Sequence, residues 1–462
     1  MTLTSIHFFL FLPVVFTIYW LFGNKYRWIV LLGASLYFYT TWSYWFPIVL
    51  FVILLINYFC AIWISKSSSE GMKKFWLWIA IVKSVLILLA FKYFSGHLFN
   101  TRSAFLQIAF PIGLSYYIFQ LLGYVIEVKR GKVQPEMNFA KLALFGSFFP
   151  TIISGPVERF TALMPQFFGK HKFSFELLAS GAGIATWGFF KKMVIADRLT
   201  EFVNPVFENP HNYSGLTLLV TAFFFVIQLY ADFSGYTDIV TGIARFFGIE
   251  LSLNWRRPLL ATSLVDFWKR YHISLTSWFH DYVYLSIVSN SRSVFFWIIN
   301  IFWVFILSAL WHGFALTFLL WGFMHGLIYI LELIIKKQFR IKKKFPVIGW
   351  IFVLLFHTLT LIAFRSKTIE IALVFWKKIV SFDFHIRTTV NEFISLNSFF
   401  SFALAVSLIV FLFIKELNEE FWKTNKLKTV RKVAEPAFYI IVFVLIFVLG
   451  KFNASEFIYS HF

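Results

Sequence analysis

Residues 294–335, VFFWIINIFWVFILSALWHGFALTFLLWGFMHGLIYILELII, decide the class of this protein. The stretch is long enough for two membrane-spanning helices of about 20 apolar residues each, and Trp311-His312-Gly313 lies near its middle. An ionisable imidazole in so apolar a sequence is costly, so His312 is a candidate functional residue. Imidazole titrates near neutrality, which suits a general base. The position alone is equally compatible with a structural histidine that is hydrogen-bonded to a neighbouring carbonyl.

The composition of the whole chain also indicates a membrane protein. Hydrophobic residues make up 59% of the 462 positions and charged residues 14%, whereas a soluble domain has about 25% charged residues. The mean hydropathy is +0.75. These values exclude a water-soluble fold, and no polar stretch is long enough for a separate soluble module. Cys60, the only cysteine, excludes intramolecular disulfides and cysteine metal sites.

Apolar runs along the chain predict an all-α fold, a polytopic transmembrane helix bundle with roughly 11 to 13 spans. The runs lie at residues 3–22, 28–42, 46–65, 75–94, 105–128, 177–190, 216–229, 294–310, 315–335, 347–364, 399–414 and 437–449. We expect them to form one membrane-embedded domain that covers residues 1–462.

The net charge of +20 comes from Lys and Arg residues that cluster between the apolar runs. Such clusters are typical of loops that stay in the cytoplasm, and they favour contact with the lipid bilayer rather than with nucleic acid. The loops at residues 336–344 and 423–432 are the most basic. We therefore expect both loops in the cytoplasm and the C-terminus outside it. The basic connections at residues 24–27, 66–74 and 129–141 alternate with basic-poor ones and likewise predict an N-terminus outside.

Two segments depart from the pattern of simple spans. Phe148-Phe149-Pro150 and Ser154-Gly155-Pro156 break an apolar stretch that is too short to cross as one helix, which predicts a re-entrant element. Irregular backbone at membrane depth is tolerated only when it is buried in protein or lines a wet cavity, so this element points to a site. Residues 255–287 are too rich in charge to span and predict interfacial helices.

A second candidate histidine, His272, lies in the polar block at residues 266–275. Asp266 and Arg270 are four residues apart there, so they can pair on a helix. An interfacial helix with a solvated face is the alternative interpretation of this block. For His325, more than three helical turns beyond His312, we expect a packing role.

Polar residues also follow the apolar run that ends at residue 229, namely Tyr230, Asp232, Ser234, Tyr236 and Asp238. The two carboxylates could indicate a cation site or a glycosidase pair, but a spacing of six residues does not place them on one face of a helix. Gly235 predicts a helix break, with the carboxylates acting as caps or as partners of arginines. Glu158 and Arg159 are expected to pair with each other or with their surroundings.

Four blocks in this order resemble the membrane-bound O-acyltransferase family, in the bacterial branch of alginate and peptidoglycan O-acetyltransferases. The blocks are Phe149-Pro150 with residues 154–160 (SGPVERF), residues 232–238 (DFSGYTD), residues 266–275 (DFWKRYHISL) and Leu310-Trp311-His312-Gly313. The resemblance covers nearly the whole chain. Local departures are His280 in place of an expected Arg and residues 285–289 (LSIVS) where relatives often have Ile-Pro-Leu-Gly-Gly.

The resemblance implies a catalytic core at residues 136–335, between N-terminal spans at 1–135 and C-terminal spans at 336–462. It implies two catalytic histidines in a central tunnel. His312 is expected to act as the general base, and His272 is expected to help position or polarise the thioester carbonyl. Further lining residues are implied at Trp311, Asp232, Tyr236, Asp266, Arg270, Glu158 and Arg159. No metal and no permanently bound cofactor are expected.

The implied reaction moves an acetyl group from a cytoplasmic thioester, acetyl-CoA, to hydroxyls of an extracytoplasmic polysaccharide such as alginate or peptidoglycan. Transfer is either direct or through a periplasmic or membrane-anchored acetyltransferase partner. The implied location is the bacterial cytoplasmic (inner) membrane, with several passes. A transporter, which predicts repeated halves with matching broken helices, and a scaffold for polysaccharide export are the alternatives.

Overall fold

The computed structural model describes residues 1–94, 111–288, 293–339, 346–382, 384–421 and 428–452. Within these ranges the regular elements are helices, without a strand. The predicted all-α class is therefore confirmed. The chain divides into two compact units, residues 1–185 with 237–252 and residues 186–236 with 253–462. The predicted three sections of one domain stay a prediction.

The first unit holds most of the N-terminal helices. They are α1 (Ile6–Leu21), α2 (Arg27–Thr40), α3 (Trp45–Lys66), α4 (Glu70–Leu89), α5 (Leu114–Lys129), α6 (Phe139–Ser147), α7 (Phe160–Phe167) and α8 (Phe175–Phe189), whose last residues belong to the second unit. Helix α3 packs against α4 and α5. A π-helical turn at Ala90–Phe94 continues α4.

The segment between α6 and α7 is irregular and buried, as the proline and glycine pattern predicts. Phe148 and Phe149 have no exposed surface, and the Phe149 backbone N–H donates to Ser35 Oγ at 3.0 Å. A Cβ on Gly155 would lie 2.5 Å from Thr151 Cα, so only glycine fits there. Its depth in a membrane, and hence its re-entrant character, stays a prediction.

The second unit contains the longest helices. They are α9 (Asp197–Glu208), α10 (Gly215–Phe246), α11 (Leu264–Trp268), α12 (Ile273–Phe279), α13 (Leu285–Val288), α14 (Val294–His312), α15 (Leu316–Phe339), α16 (Pro346–Arg365), α17 (Ile369–Val380), α18 (Ile386–Leu396), α19 (Phe399–Phe421) and α20 (Lys428–Leu449). The last residues of α10 belong to the first unit. Helices α14, α15 and α16 pack in sequence order. The polar stretch at 255–287 forms short helices instead of a span, and its position at the membrane interface stays a prediction.

Seven described helices are long and apolar enough to cross a membrane, namely α3, α4, α10, α14, α15, α16 and α19. The apolar helices α1 and the 434–449 part of α20 are shorter. A multi-pass membrane protein is therefore confirmed, whereas 11 to 13 spans stay a prediction. Of the two basic loops, residues 340–344 and 423–427 lie outside the described residues.

The expected helix break at Gly235 is wrong. Helix α10 continues without interruption from Gly215 to Phe246. A Cβ on Gly235 would lie 2.8 Å from the carbonyl oxygen of Gly188, so the glycine allows two backbone segments to approach each other closely. Small residues serve this purpose in membrane proteins, because association there depends on close packing.

Candidate active site

A cavity of about 580 Å³ lies in the second unit and is lined by both candidate histidines, His272 and His312. One face of α14 forms its longest wall, through Trp297, Ile301, Val304, Phe305, Ser308 and His312. At 1.5 Å per residue, this face extends for about 22 Å. His312 is the last residue of α14, so it lies at one end of the wall.

Helices α15 and α16 form the facing walls. Trp321, Tyr329 and Leu333 line the cavity from α15, and His357, Leu361 and Phe364 line it from α16. Tyr329 and Leu333 pack with the apolar cluster around Ile301, toward the beginning of α14. The cavity therefore runs along α14, much of α15 and the second half of α16, and residues 268–284 supply most of the remaining lining. Its walls are mostly aromatic and aliphatic.

Aromatic rings hold the His312 imidazole. Its ring centroid lies 4.9 Å from Phe364 and 5.5 Å from Trp321, both in edge-to-face contact, and 6.1 Å from Phe318, which stacks on it. A Cβ on Gly313 would lie 2.8 Å from the Phe318 ring, so glycine after His312 leaves room for that ring. The packing of Phe318 therefore explains why a glycine follows His312 in the sequence Trp-His-Gly.

His272 is held by a hydrogen bond and by an unusual backbone conformation. It precedes α12 in the left-handed region, with φ 47° and ψ 52°, which costs about 1–3 kcal/mol and is found mainly at functional sites. The backbone N–H of Ile273 donates to the Asn254 carbonyl at 2.9 Å and fixes this turn. The side-chain Nδ1 of His272 lies 3.2 Å from Asn254 Oδ1.

The same amide oxygen of Asn254 determines which nitrogen of His272 carries the proton. Asn254 Oδ1 also accepts from the Ser274 backbone N–H at 3.1 Å. A backbone N–H can only donate, so the atom beside it is an acceptor and His272 Nδ1 must be the donor. Burial lowers the pKa of His272 to about 3. The imidazole is therefore neutral at physiological pH, with Nε2 as its acceptor nitrogen.

Trp311 contacts both histidines. Its ring centroid lies 6.3 Å from His272 and 4.6 Å from His312. On its other sides, His272 meets Phe233 at 4.7 Å and stacks on Trp255 at 6.1 Å. Trp311 is not among the described residues that line the cavity, and its predicted role in lining a tunnel stays a prediction.

Asp232 belongs to a buried ion cluster. Its carboxylate lies 2.7 Å from Lys192 Nζ, which also lies 2.9 Å from Asp197. The partner that the structure shows for Asp232 is thus a lysine, because α10 packs so closely on the segment before α9 that Lys192 reaches it. An arginine partner for Asp232 stays a prediction. Tyr236, one turn further on, is buried as well.

Asp266 and Arg270 form the predicted ion pair, with Arg270 Nε at 3.1 Å from Asp266 Oδ1. Arg270 also pairs with Glu420 at 2.9 Å. Neither of the predicted pair, nor Asp232 or Tyr236, is among the described residues that line the cavity. A tunnel-lining role for them stays a prediction.

Glu158 lies in the first unit and binds its surroundings. Its carboxylate accepts from the Ser252 backbone N–H at 2.6 Å and from Ser252 Oγ at 2.7 Å. Burial raises the pKa of Glu158 to about 7, although the Ser252 hydrogen bonds and the neighbouring Arg159 lower it. The proposed tunnel role of Glu158 and Arg159 stays a prediction.

Sequence reasoning missed three residues of the site. Asn254 gave no signal, because its importance comes from a contact with His272, 18 residues away. His357 lies in an apolar run and could have been found by the rule that singled out His312. By contrast, His325 packs as expected, with Nε2 at 2.9 Å from Thr360 Oγ1, and is not among the described cavity residues.

The third residue that sequence reasoning missed is Ser308. It lies one turn before His312 on the same face of α14 and lines the cavity. Helical hydroxyls elsewhere donate to the carbonyl four residues earlier, as Ser35 does to Leu31 at 2.7 Å and Ser84 to Ala80 at 2.7 Å. Ser308 makes no such bond in the described part of the chain. Its hydroxyl is therefore available to a molecule in the cavity.

The sequence of the chain is similar to those of a known protein family and of several named proteins. The family model of MBOAT, the membrane-bound O-acyltransferase family, matches residues 31–366. A peptidoglycan O-acetyltransferase of Helicobacter pylori is 28% identical over 99% of this chain and 97% of its own length. A probable alginate O-acetylase of Pseudomonas syringae pv. tomato is 31% identical over 80% and 73%, respectively. A teichoic acid D-alanyltransferase of Bacillus subtilis is 30% identical over 47% and 57%.

Proposed function

The chain belongs to the membrane-bound O-acyltransferase family, and from this premise we propose that it moves acetyl groups from acetyl-CoA to hydroxyls of a cell-envelope polysaccharide. The observation that carries the proposal is the cavity that follows α14 and ends at His312. Relatives named for the O-acetylation of peptidoglycan and alginate support the choice of acyl group and acceptor.

His312 is the general base of the proposed reaction. Its imidazole takes the proton of the acceptor hydroxyl while that oxygen forms a bond to the thioester carbonyl carbon. The tetrahedral intermediate then breaks its C–S bond, and the imidazolium returns the proton to the leaving thiolate. Atoms and charge balance without a metal or a redox partner, and the products are the O-acetyl ester and free CoA.

Two neighbours of His312 assist this step in the proposal. Ser308 donates its uncommitted hydroxyl to the thioester carbonyl oxygen, where negative charge develops. Because His272 Nδ1 donates to Asn254, Nε2 can only accept. Without a proton on Nε2, His272 cannot donate to the thioester carbonyl, so in the proposal it positions the acceptor instead of polarising the carbonyl.

We place the donor at the far end of the cavity. Tyr329 and Leu333 line that end, and α15 continues from there to Lys336 and Lys337, at the start of a loop that is expected in the cytoplasm. The aromatic walls exclude water that would hydrolyse the thioester. Under this proposal the cavity is part of a tunnel through a bundle of 11 to 13 spans.

The remaining parts of the proposal concern the setting of the reaction. We place the protein in the bacterial cytoplasmic membrane, with the polysaccharide on the outer side. Transfer to the polysaccharide is either direct or relayed by a periplasmic or membrane-anchored acetyltransferase partner. Acetyl-CoA binds as a substrate, without a resident cofactor.

The experiment uses the purified full-length protein in liposomes, with radiolabelled acetyl-CoA and purified alginate or peptidoglycan as acceptors. Label on the acceptor that depends on the protein is the expected result. Transport of either compound without acetylation would instead favour a transporter, and the absence of both activities would favour a scaffold. Adding a soluble membrane-free extract of the periplasm distinguishes direct transfer from relay.

A further inference from the structure

Four histidines line the cavity, namely His272, His280, His312 and His357, and neither the sequence pattern nor the proposed mechanism assigns a task to His357. It belongs to α16 and is 3% exposed. The Phe267 ring at 4.5 Å and the Tyr271 ring at 5.8 Å hold it in place. A polar group at such a buried position in a membrane span needs a reason.

The surroundings of the two ring nitrogens of His357 indicate which of them can bind a ligand. Nδ1 is buried and has no hydrogen-bond partner among the described residues. An orphaned buried N–H is rarer in proteins than an under-satisfied acceptor. The favoured tautomer therefore has Nδ1 unprotonated and Nε2 carrying the hydrogen, so the ring presents an N–H donor to the cavity.

The position of His357 separates it from the reacting atoms. It lies on the same face of α16 as Phe364, which contacts the His312 ring at 4.9 Å. Seven residues of helix correspond to about 10 Å. His357 is therefore too far along the wall to touch the thioester carbonyl at His312, and it faces a more distant part of the bound molecule.

We propose that His357 binds an amide carbonyl in the pantetheine arm of the thioester donor, which rests on the proposed function. The arm is a narrow chain whose amide groups are its main polar features between the thioester and the phosphates. Within aromatic and aliphatic walls, an amide carbonyl loses its hydrogen bonds to water, and the imidazole N–H replaces one of them. His357 thus selects donors that carry the arm and fixes how deeply they enter.

The experiment compares two donors, S-acetylpantetheine and S-ethyl thioacetate, which lacks the arm, with the full-length protein in liposomes. His357→Leu is expected to lower kcat/KM for S-acetylpantetheine about tenfold, chiefly through KM. The same substitution should leave the slow reaction of S-ethyl thioacetate unchanged. His357→Gln, which restores an N–H donor, should recover much of the loss.

His325→Leu is the matched control, because His325 is a buried imidazole 5.7 Å from His357 but is not a described cavity residue. His325→Leu should change kcat/KM by the same factor for both donors. An equal loss for both donors with His357→Leu and His357→Gln would overturn the inference and leave His357 with a packing role. If the wild-type protein transfers acetyl from neither acetyl-CoA nor S-acetylpantetheine, the proposed function itself fails.

Discussion

The two histidines His312 and His272 have different surroundings, and these surroundings suit different roles in the proposed reaction. Aromatic rings surround His312, and it occupies the end of a helix. A hydrogen bond to Asn254 fixes His272 in one tautomer, within a strained turn. An imidazole that must gain and lose a proton suits the first environment, whereas a permanently neutral acceptor suits the second.

His312→Ala is expected to abolish transfer while the protein still inserts and folds. Loss of a general base costs about 10²- to 10⁴-fold in rate, which is more than the packing loss at a residue that adjoins a cavity. The measurement is polysaccharide O-acetylation in cells, with membrane abundance and thermal stability determined in parallel. Retained acetylation at normal abundance would contradict the assignment.

His272→Ala should weaken binding of the acceptor and lower kcat/KM for it about 10- to 100-fold, because the acceptor loses a polar group that positions it. The KM of the acetyl donor should change little. Steady-state kinetics with each substrate varied in turn provides the measurement. A selective rise in the KM of the donor would show that His272 serves the thioester instead.

Asn254→Asp should introduce a new acidic limb into the pH–rate profile. The carboxylate favours the imidazolium form, so it raises the pKa of His272 from about 3. As the pH falls through the raised pKa, Nε2 becomes protonated and can no longer accept a hydrogen bond. The matched control is Ser274→Ala, which removes the Oγ bond to Asn254 at 2.9 Å without adding charge. Identical profiles for both variants would refute the tautomer argument.

At the scale of elements, the cavity depends on how closely helices approach each other. Helix α14 supplies a face of spaced side chains, and α10 carries Phe233 against the His272 ring. The same part of α10 carries Gly235, whose missing side chain allows contact with the backbone at Gly188. The position of His272 is therefore linked to close packing elsewhere on α10.

Gly235→Ala is expected to destabilise the protein by about 1–3 kcal/mol, because the added methyl group overpacks the contact. Melting of the detergent-solubilised protein provides the measurement. Gly33→Ala is the control, since α2 leaves nothing within 4 Å of a Cβ there and alanine favours helix. Equal melting temperatures for wild type and Gly235→Ala would show that α10 can move away at little cost.

At the scale of the whole molecule, charge between the spans determines orientation. The most basic segments, at residues 336–344 and 423–432, include the last residues of α15 and the first residues of α20, respectively. Both are expected in the cytoplasm, where anionic lipids and the positive-inside rule retain them. The donor end of the cavity would then face the compartment that contains acetyl-CoA.

Single cysteines placed in either loop, in a chain with Cys60 replaced by alanine, should be protected from a membrane-impermeant reagent added outside intact cells. Permeabilised cells should show full labelling. Replacing Cys60 ensures that only the introduced cysteine can react with the reagent. Because native Cys60 is buried, its replacement leaves the exposed surface of the protein unchanged. External labelling of either loop would reverse the orientation and the proposed donor side.

The helical class and the main candidate residue could both be predicted from the amino-acid sequence. Run length and composition suffice for membrane helices, because each span must satisfy its backbone hydrogen bonds internally. The cost of an imidazole in an apolar run likewise depends on nearby sequence, and it identified His312. The Asp266–Arg270 pair was predictable because its partners are four residues apart.

The surroundings of these residues could not be predicted in the same way, because they depend on the three-dimensional packing. The Asn254 contact that fixes the His272 proton, the Lys192 partner of Asp232 and the closeness of Gly235 to Gly188 all join residues distant in sequence. Helical periodicity does not specify which face of one helix meets another. That choice depends on the packing of side chains from several elements at once. The same packing explains why His357 lines the cavity whereas the neighbouring His325 is not among its described lining residues.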